Sequence, residues 1–251
     1  SLNINNFYIC SLSSEVIIYK GMFLAEQLSS FYPDLLDPDF KSKFAVYHQR
    51  YSTNTFPTWS LAQPFRVLAH NGEINTLKGN INWMKAHETR ITHDFFADRV
   101  EDLKPILDSD ASDSASLDAA FEILLQTDRS LPMTKSMIIP ESWSNNNDMP
   151  NELKKMYAYC NAVIEPWDGP AAVCANFGDW IISGMDRNGL RPLRYIITDD
   201  DLLISGSEVG MVIVDDRNIL KKGRVGPGEL IAINYKEKKF YQSDELKKQL
   251  A

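Results

Sequence analysis

Cysteine, histidine and long apolar runs are all scarce in this chain, and each scarcity excludes something. There are three cysteines (Cys10, Cys160 and Cys174) and four histidines in 251 residues. An odd number of cysteines without CxxC spacing argues against a disulfide scaffold or a zinc site and fits a reducing compartment. No apolar stretch approaches the roughly 20 residues needed to span a bilayer. The opening SLNINNFYICSL lacks the basic start and long apolar centre of a secretory leader. Basic residues are outnumbered, 26 Lys and Arg against 34 Asp and Glu, for a net charge of −8. That leaves no electrostatic footprint for nucleic acid. The short clusters KKGR (221–224) and KEKK (236–239) read as solvated turns between strand-like runs. No phosphate-cradling glycine loop and no cysteine cluster is present, so nothing here points to a flavin or iron–sulfur site within the chain.

What the chain does have is enough apolar material, 44%, to build a core. Strand-like runs come first: FYICSLS (7–13) and EVIIYKG (15–21) as a hairpin, FAVYHQRYS (44–52) and FRVLAHNG (65–72). MFLAEQLSSFY between them has helical spacing and ends at Pro33. TNTFPTWSLAQP (53–64), with two prolines, reads as a loop and is a candidate lid through Trp59. Helices are expected over 74–88, over 111–128 with Ser112 or Asp113 as N-cap and a stripe of Leu117, Ala120, Phe121, Leu124 and Leu125, and over 151–164 with Met156, Tyr159, Cys160 and Val163 inward. From PAAVCANF onward, strand-like runs separated by turns, GMVIV (210–214) among them, form an antiparallel meander. Strands, then helices, then strands predict an α+β fold in packed layers, and 251 residues suit one large domain or two small ones. The chain begins with serine and runs at once into a strand, so it is expected to be part of a longer polypeptide.

Three stretches offer chemistry. In HQRYSTNT (48–55), Arg50 can grip a carboxylate with two prongs, with Thr53 and Asn54 as added donors; the plain alternative is a surface ion pair. In AHNG (69–72), the Asn71 amide and the Gly72 backbone N–H can converge on an oxyanion; the alternative is an ordinary turn. In SDASDSASLD (109–118), a carboxylate can hold an ammonium group, or merely cap a helix. Asp113 can do both only if its side chain points away from its own helix. His70, beside an apolar run, reads as structural. The five tryptophans are scattered and form no stacking platform.

The order of these stretches carries more than any one of them. FYICSLSSEVIIYKGM, HQRYSTNTFPTWSLAQPFRVLAHNGEINTLKGNINWM, EPWDGPAA and MDRNGLRPLRY resemble the glutaminase domains of the glutamate synthase large-subunit family, within the class II glutamine amidotransferases. The resemblance covers essentially the whole chain; DRNGLRP is shared more widely in the class. It implies a four-layer αββα sandwich of the N-terminal nucleophile hydrolase type, incomplete here. It implies Arg50, Thr53 and Asn54 on the α-carboxylate of glutamine, Asp113 on its α-ammonium, and Asn71 and Gly72 as the oxyanion hole. The family's nucleophile is an N-terminal cysteine whose own amine is the base. No residue matches it: Ser1 aligns with an interior segment, Cys10 is internal, and Cys160 and Cys174 read as core. The chain alone is therefore expected not to hydrolyse glutamine. The resemblance also implies FMN and an iron–sulfur cluster in downstream synthase domains, a reductase subunit or ferredoxin as partner, and a cytoplasmic or plastid-stromal location. An amidophosphoribosyltransferase-type enzyme or a non-catalytic glutamine-sensing module remain the alternatives.

Overall fold

In the computed structural model, residues 7–50, 56, 58–208 and 210–251 are described. Helices α1 (Leu28–Phe31), α2 (Leu77–Glu88), α3 (Asp113–Leu125), α4 (Leu131–Ile138), α5 (Asn151–Val163) and α6 (Ser243–Leu250) accompany eight strands. These are β1 (Leu68–Gly72), β2 (Ala171–Phe177), β3 (Trp180–Met185), β4 (Arg194–Thr198), β5 (Leu203–Gly206), β6 (Ile219–Arg224), β7 (Leu230–Asn234) and β8 (Lys239–Tyr241). One sheet runs β1-β2-β3-β7-β8 and the other β5-β4-β6, with every pairing antiparallel.

The two faces of the larger sheet follow from strand alternation. Ala171, Val173 and Ala175 of β2 pack with Ile182 and Leu230 under the helices, against Leu117, Phe121, Met137 and Tyr157. Ala172, Met185 and Ile231 point the other way and meet Leu193, Tyr195 and Val225 beneath the second sheet. The order is helices, five-stranded sheet, three-stranded sheet. Each fully buried Leu or Phe in such a core contributes about 1.5–3 kcal/mol relative to exposure. The mixed helix-and-sheet class is as expected. Among the described residues no helix covers the outer face of the second sheet, where Leu220 is exposed.

Helix α3 forms where its capping signal lies. Ser112 is the N-cap and its Oγ accepts from Ala115 N, while Leu117, Ala120, Phe121 and Leu125 are buried. Asp118, on the same helix, is buried and accepts from the N–H groups of Arg66, Val67 and Leu68. Burial pushes its carboxyl up to about 7, against the pull of those three donors. It ties α3 to the start of β1.

Several expectations need correction. Residues 7–50 contain no strand among those described: FYICSLS, EVIIYKG and the described part of FAVYHQRYS form no ladder, and the helix expected from Met22 is a short turn (Ala25–Gln27) followed by α1. KKGR is not a turn, because Lys221–Arg224 lie in β6 paired with β4. GMVIV forms no strand. On α5 the inward tyrosine is Tyr157, while Tyr159 is exposed. Tyr157 donates to Glu141 Oε1 at 2.8 Å, a partner that only the fold supplies. Helices α4 and α6 were not anticipated; Pro132 near the start of α4 fits a first helical turn, where no N–H is needed.

Candidate functional site

β1 is an edge strand, and its hydrogen-bond phase decides what its end presents. Glu73 N donates to Pro170 O and Asn176 N to Val67 O, so odd-numbered residues 67–73 bond to β2. In an antiparallel pair the alternate residues then turn their N–H and C=O outward. Those outward groups are used in turn. Leu68 N donates to Asp118 Oδ1 and its carbonyl accepts from Phe65 N. His70 N donates to Gln63 Oε1, and its carbonyl accepts from Gln63 Nε2. Gly72 comes next, and its outward N–H has no partner among the described residues. A bare N–H at a strand end, held by a rigid ladder, is a preorganised donor for a developing negative charge.

Gly72 is also sterically required. Its φ is +141°, and an added Cβ would sit 1.7 Å from Pro170 O. The neighbour that crowds it is the segment EPWDGPAA, in which Gly169 (φ +154°) would place a Cβ 2.0 Å from Glu73 O. Asn75 N donates to Asp168 O at 2.8 Å, locking the two segments together. Asp168 is gripped by Arg187 through Nη2 at 2.6 Å and Nε at 3.2 Å. Buried Asp186 accepts from Ala171 N and Asn188 N. MDRNGLRP thus braces EPWDGPAA, which braces the end of β1.

Asn71 alternates to the opposite face from His70, toward the second sheet, where its Nδ2 donates to Ser207 Oγ at 3.0 Å. Asp113 lies at the first turn of α3, but capping belongs to Ser112. Asp113 Oδ1 accepts from Ser114 N, and Oδ2 reaches across to Ile74 N at 2.8 Å, two residues beyond Gly72. Its carboxylate therefore spans the first turn of its own helix and the turn after β1. Asn71, Gly72 and Asp113 are brought into one neighbourhood by β1, the turn after it and α3.

His70 is 1% exposed. Its Nδ1 lies 2.7 Å from Ser114 Oγ, whose hydroxyl donates to Asp113 Oδ1. The imidazole is then the donor, in the Nδ1–H tautomer, and Nε2 has no partner among the described residues. Burial lowers its pKa to about 4, with Asp113 opposing the shift and His48 and Arg191 adding to it. The ring is neutral at ordinary pH.

Arg50 is exposed, and its backbone carbonyl accepts from His48 Nδ1 at 2.7 Å. Its guanidinium forms no ion pair with a described acid. Thr53 and Asn54 lie outside the described residues, as does Ser1. From the 15–21 stretch, Lys20 Nζ is buried and donates to two carbonyls further along the loop, Ala62 O at 2.8 Å and Trp59 O at 3.4 Å. Gln63 then holds the loop to His70. Cys160 is buried on α5 and its thiol is pushed up to about 11; Cys174, on β2, is likewise shifted upward by burial and contacts Ser183 Oγ. Neither is a poised nucleophile.

Gln63, Ser114 and Ser207 were not singled out from sequence. Each acts through a contact between segments far apart in the chain, for which spacing gives no signal. The only hint was that AQPF, with Gln63, sits inside a stretch that carries the resemblance.

Residues 2–251 match the family model for class II glutamine amidotransferases. The chain is 59% identical over 248 residues to the glutamate synthase [NADPH] large chain of Azospirillum brasilense, covering 99% of this chain and 16% of that protein. It is 47% identical over 246 residues to the corresponding large chain of Bacillus subtilis, covering 98% and 16%. It is 47% identical over 245 residues to the ferredoxin-dependent glutamate synthase of Pyropia yezoensis, covering 97% and 16%. The chain thus spans about a sixth of the length of these relatives.

Proposed function

The chain belongs to the class II glutamine amidotransferases, and from that premise we propose that it is the glutamine-binding part of a glutaminase domain supplying ammonia to a glutamate synthase. The observation that carries this reading is the N–H of Gly72 at the edge of β1, without a partner among the described residues, beside Asn71 and within two residues of the Asp113 contact to Ile74.

In this proposal Arg50, with Thr53 and Asn54, holds the α-carboxylate of glutamine, and Asp113 holds its α-ammonium. The side-chain carbonyl then lies over Asn71 and Gly72. A cysteine thiol, not one of the three in this chain, attacks that carbonyl. Its proton passes through an amine base to the departing amide nitrogen. The carbonyl electrons move onto oxygen, which Gly72 N–H and Asn71 Nδ2–H stabilise. Collapse breaks the C–N bond, releases ammonia and leaves a thioester, and water converts the thioester to glutamate. The paired ionic anchors suit the charged ends of a free α-amino acid, and the neutral donors suit its side-chain amide carbonyl. The four-layer αββα sandwich belongs to the same proposal, with a second helical layer over the exposed outer face of β4 and β6.

The wider reaction, in which ammonia and 2-oxoglutarate become glutamate, is assigned to other domains of the longer polypeptide. So are FMN, the iron–sulfur cluster and any contact with a reductase subunit or ferredoxin. Among the described residues no three His, Cys, Asp or Glu side chains are grouped to hold a metal. A cytoplasmic or plastid-stromal location remains part of the proposal; no described helix is long and apolar enough to cross a membrane.

The test uses the full-length polypeptide. Asn71→Ala should lower kcat for glutamine hydrolysis by about 100-fold with a small change in KM. Asp113→Asn should chiefly raise KM. Full activity in Asn71→Ala would overturn the reading. So would robust hydrolysis by the isolated 251-residue chain that Ser1→Ala abolishes.

A further inference from the structure

We propose that Ser207, at the end of β5 in the second sheet, is a positioning residue for the oxyanion hole: it holds the Asn71 carboxamide so that one N–H is aimed at the reacting oxygen. This rests on the proposed role of Asn71. The supporting geometry is independent of it. Asn71 lies on the face of β1 that looks toward the second sheet, because it pairs with Ala172, whose side chain packs in that interlayer core. Its Nδ2 donates to Ser207 Oγ at 3.0 Å, across 136 residues of chain.

The physical argument concerns a soft torsion. The terminal amide torsion of asparagine has broad, shallow wells, so the strand fixes which way the side chain leaves the backbone but not the plane of its carboxamide. A carboxamide is planar and carries two N–H donors. Engaging one of them at Ser207 sets the plane, and the plane fixes the direction of the other. Gly72 needs no such help, since its N–H is aimed by the backbone ladder. The two donors of the proposed hole are thus oriented by different devices: one by β1 pairing with β2, the other by a hydroxyl delivered from the second sheet. The register between the sheets is set by the core of Ala172, Met185, Leu193, Tyr195, Val225 and Ile231. This gives the second sheet a task in catalysis although it contributes no group to the substrate.

Catalysis depends on donors placed where charge develops, so loss of Ser207 should act on kcat rather than on KM. In the full-length enzyme, Ser207→Ala is expected to lower kcat for glutamine hydrolysis roughly ten-fold while KM stays within about two-fold. Ser207→Thr keeps the hydroxyl and should restore most of the rate. In an Asn71→Ala background, Ser207→Ala should add no further loss, because there is no amide left to orient. A merely structural Ser207 would lower the melting temperature and give losses that multiply in the double variant. Unchanged kcat in Ser207→Ala, a loss confined to KM, or multiplicative losses would overturn the inference. If Asn71→Ala itself is fully active, the oxyanion reading fails first; if Asn71→Ala is impaired and Ser207→Ala is not, only the positioning role falls.

Discussion

The first fifty residues and the stretch that follows them carry the same kind of sequence signal with different outcomes. FYICSLS, EVIIYKG and FRVLAHNG all alternate or cluster apolar residues as strands do. Only the last becomes one, as β1, because β2 lies beside it in register from Leu68↔Ala175 to Gly72↔Ala171. Among residues 7–50 no described ladder forms, and Phe7, Leu12 and Ile17 are 69%, 89% and 59% exposed. Strand propensity measures fitness for a half-buried pleated surface and becomes a strand only where a partner edge and a covering layer exist. One region is fixed by a paired ladder, and the other keeps only isolated contacts such as Lys20 Nζ to Ala62 O and forms no ladder.

Three measurements break or sharpen this contrast. The largest effect is expected from Gly72→Ala, at the most tightly determined point of the packed region. Its Cβ would strike Pro170 O, which is itself bonded to Glu73 N, so neither backbone can yield cheaply. We expect a loss of about 4 kcal/mol in chemical denaturation, together with loss of glutamine hydrolysis in the full-length enzyme. A small change would mean that the close approach of β1 to the 165–172 segment is not needed.

A smaller effect is expected at Lys135. It is fully buried on α4, donates to Met185 O, and has Lys247, Glu141 and Asp186 as charged neighbours. Burial, helped by Lys247 and opposed by Glu141 and Asp186, lowers its pKa from 10.5 to about 7. The folded state therefore gives up this proton near pH 7 and the unfolded state only near 10.5, so between these values the unfolded chain binds more protons. Stability then rises with pH across that window, and below it the cost of the buried charge is felt in full. Lys135→Met should remove that slope and stabilise the protein at pH 7 by about 1–2 kcal/mol. Identical pH profiles for the two proteins would show that Lys135 keeps its charge when buried.

The smallest effect is expected from Leu12→Ser in the first fifty residues, within about 0.5 kcal/mol of the starting stability. A loss of several kcal/mol there would show that this stretch is packed after all and would erase the contrast.

The helices show what was legible in sequence. The α3 stripe and its Ser112 cap were readable because both depend on local spacing. The inward residue of α5 was misjudged as Tyr159, since either tyrosine satisfies a loose helical period. Glu141 settled the choice by offering Tyr157 a hydrogen bond. KKGR was misread for a similar reason: in β6 the lysines lie exposed on a strand of the smaller sheet, and a polar strand leaves no apolar alternation to read.

The site divides along the same line. By itself the sequence determined which groups are present: a guanidinium at Arg50, an amide and a glycine at 71 and 72, and a carboxylate at Asp113, in an order that resembles one family. The tertiary structure decided their aim. The phase of the β1–β2 ladder turned Gly72 N–H outward, the packing of α3 beside the end of β1 brought Asp113 Oδ2 to Ile74 N, and the second sheet brought Ser207 to Asn71. Spacing along a chain fixes local periodicity, but the direction of a hydrogen bond depends on which distant segment lies opposite, and that is set only when the layers pack.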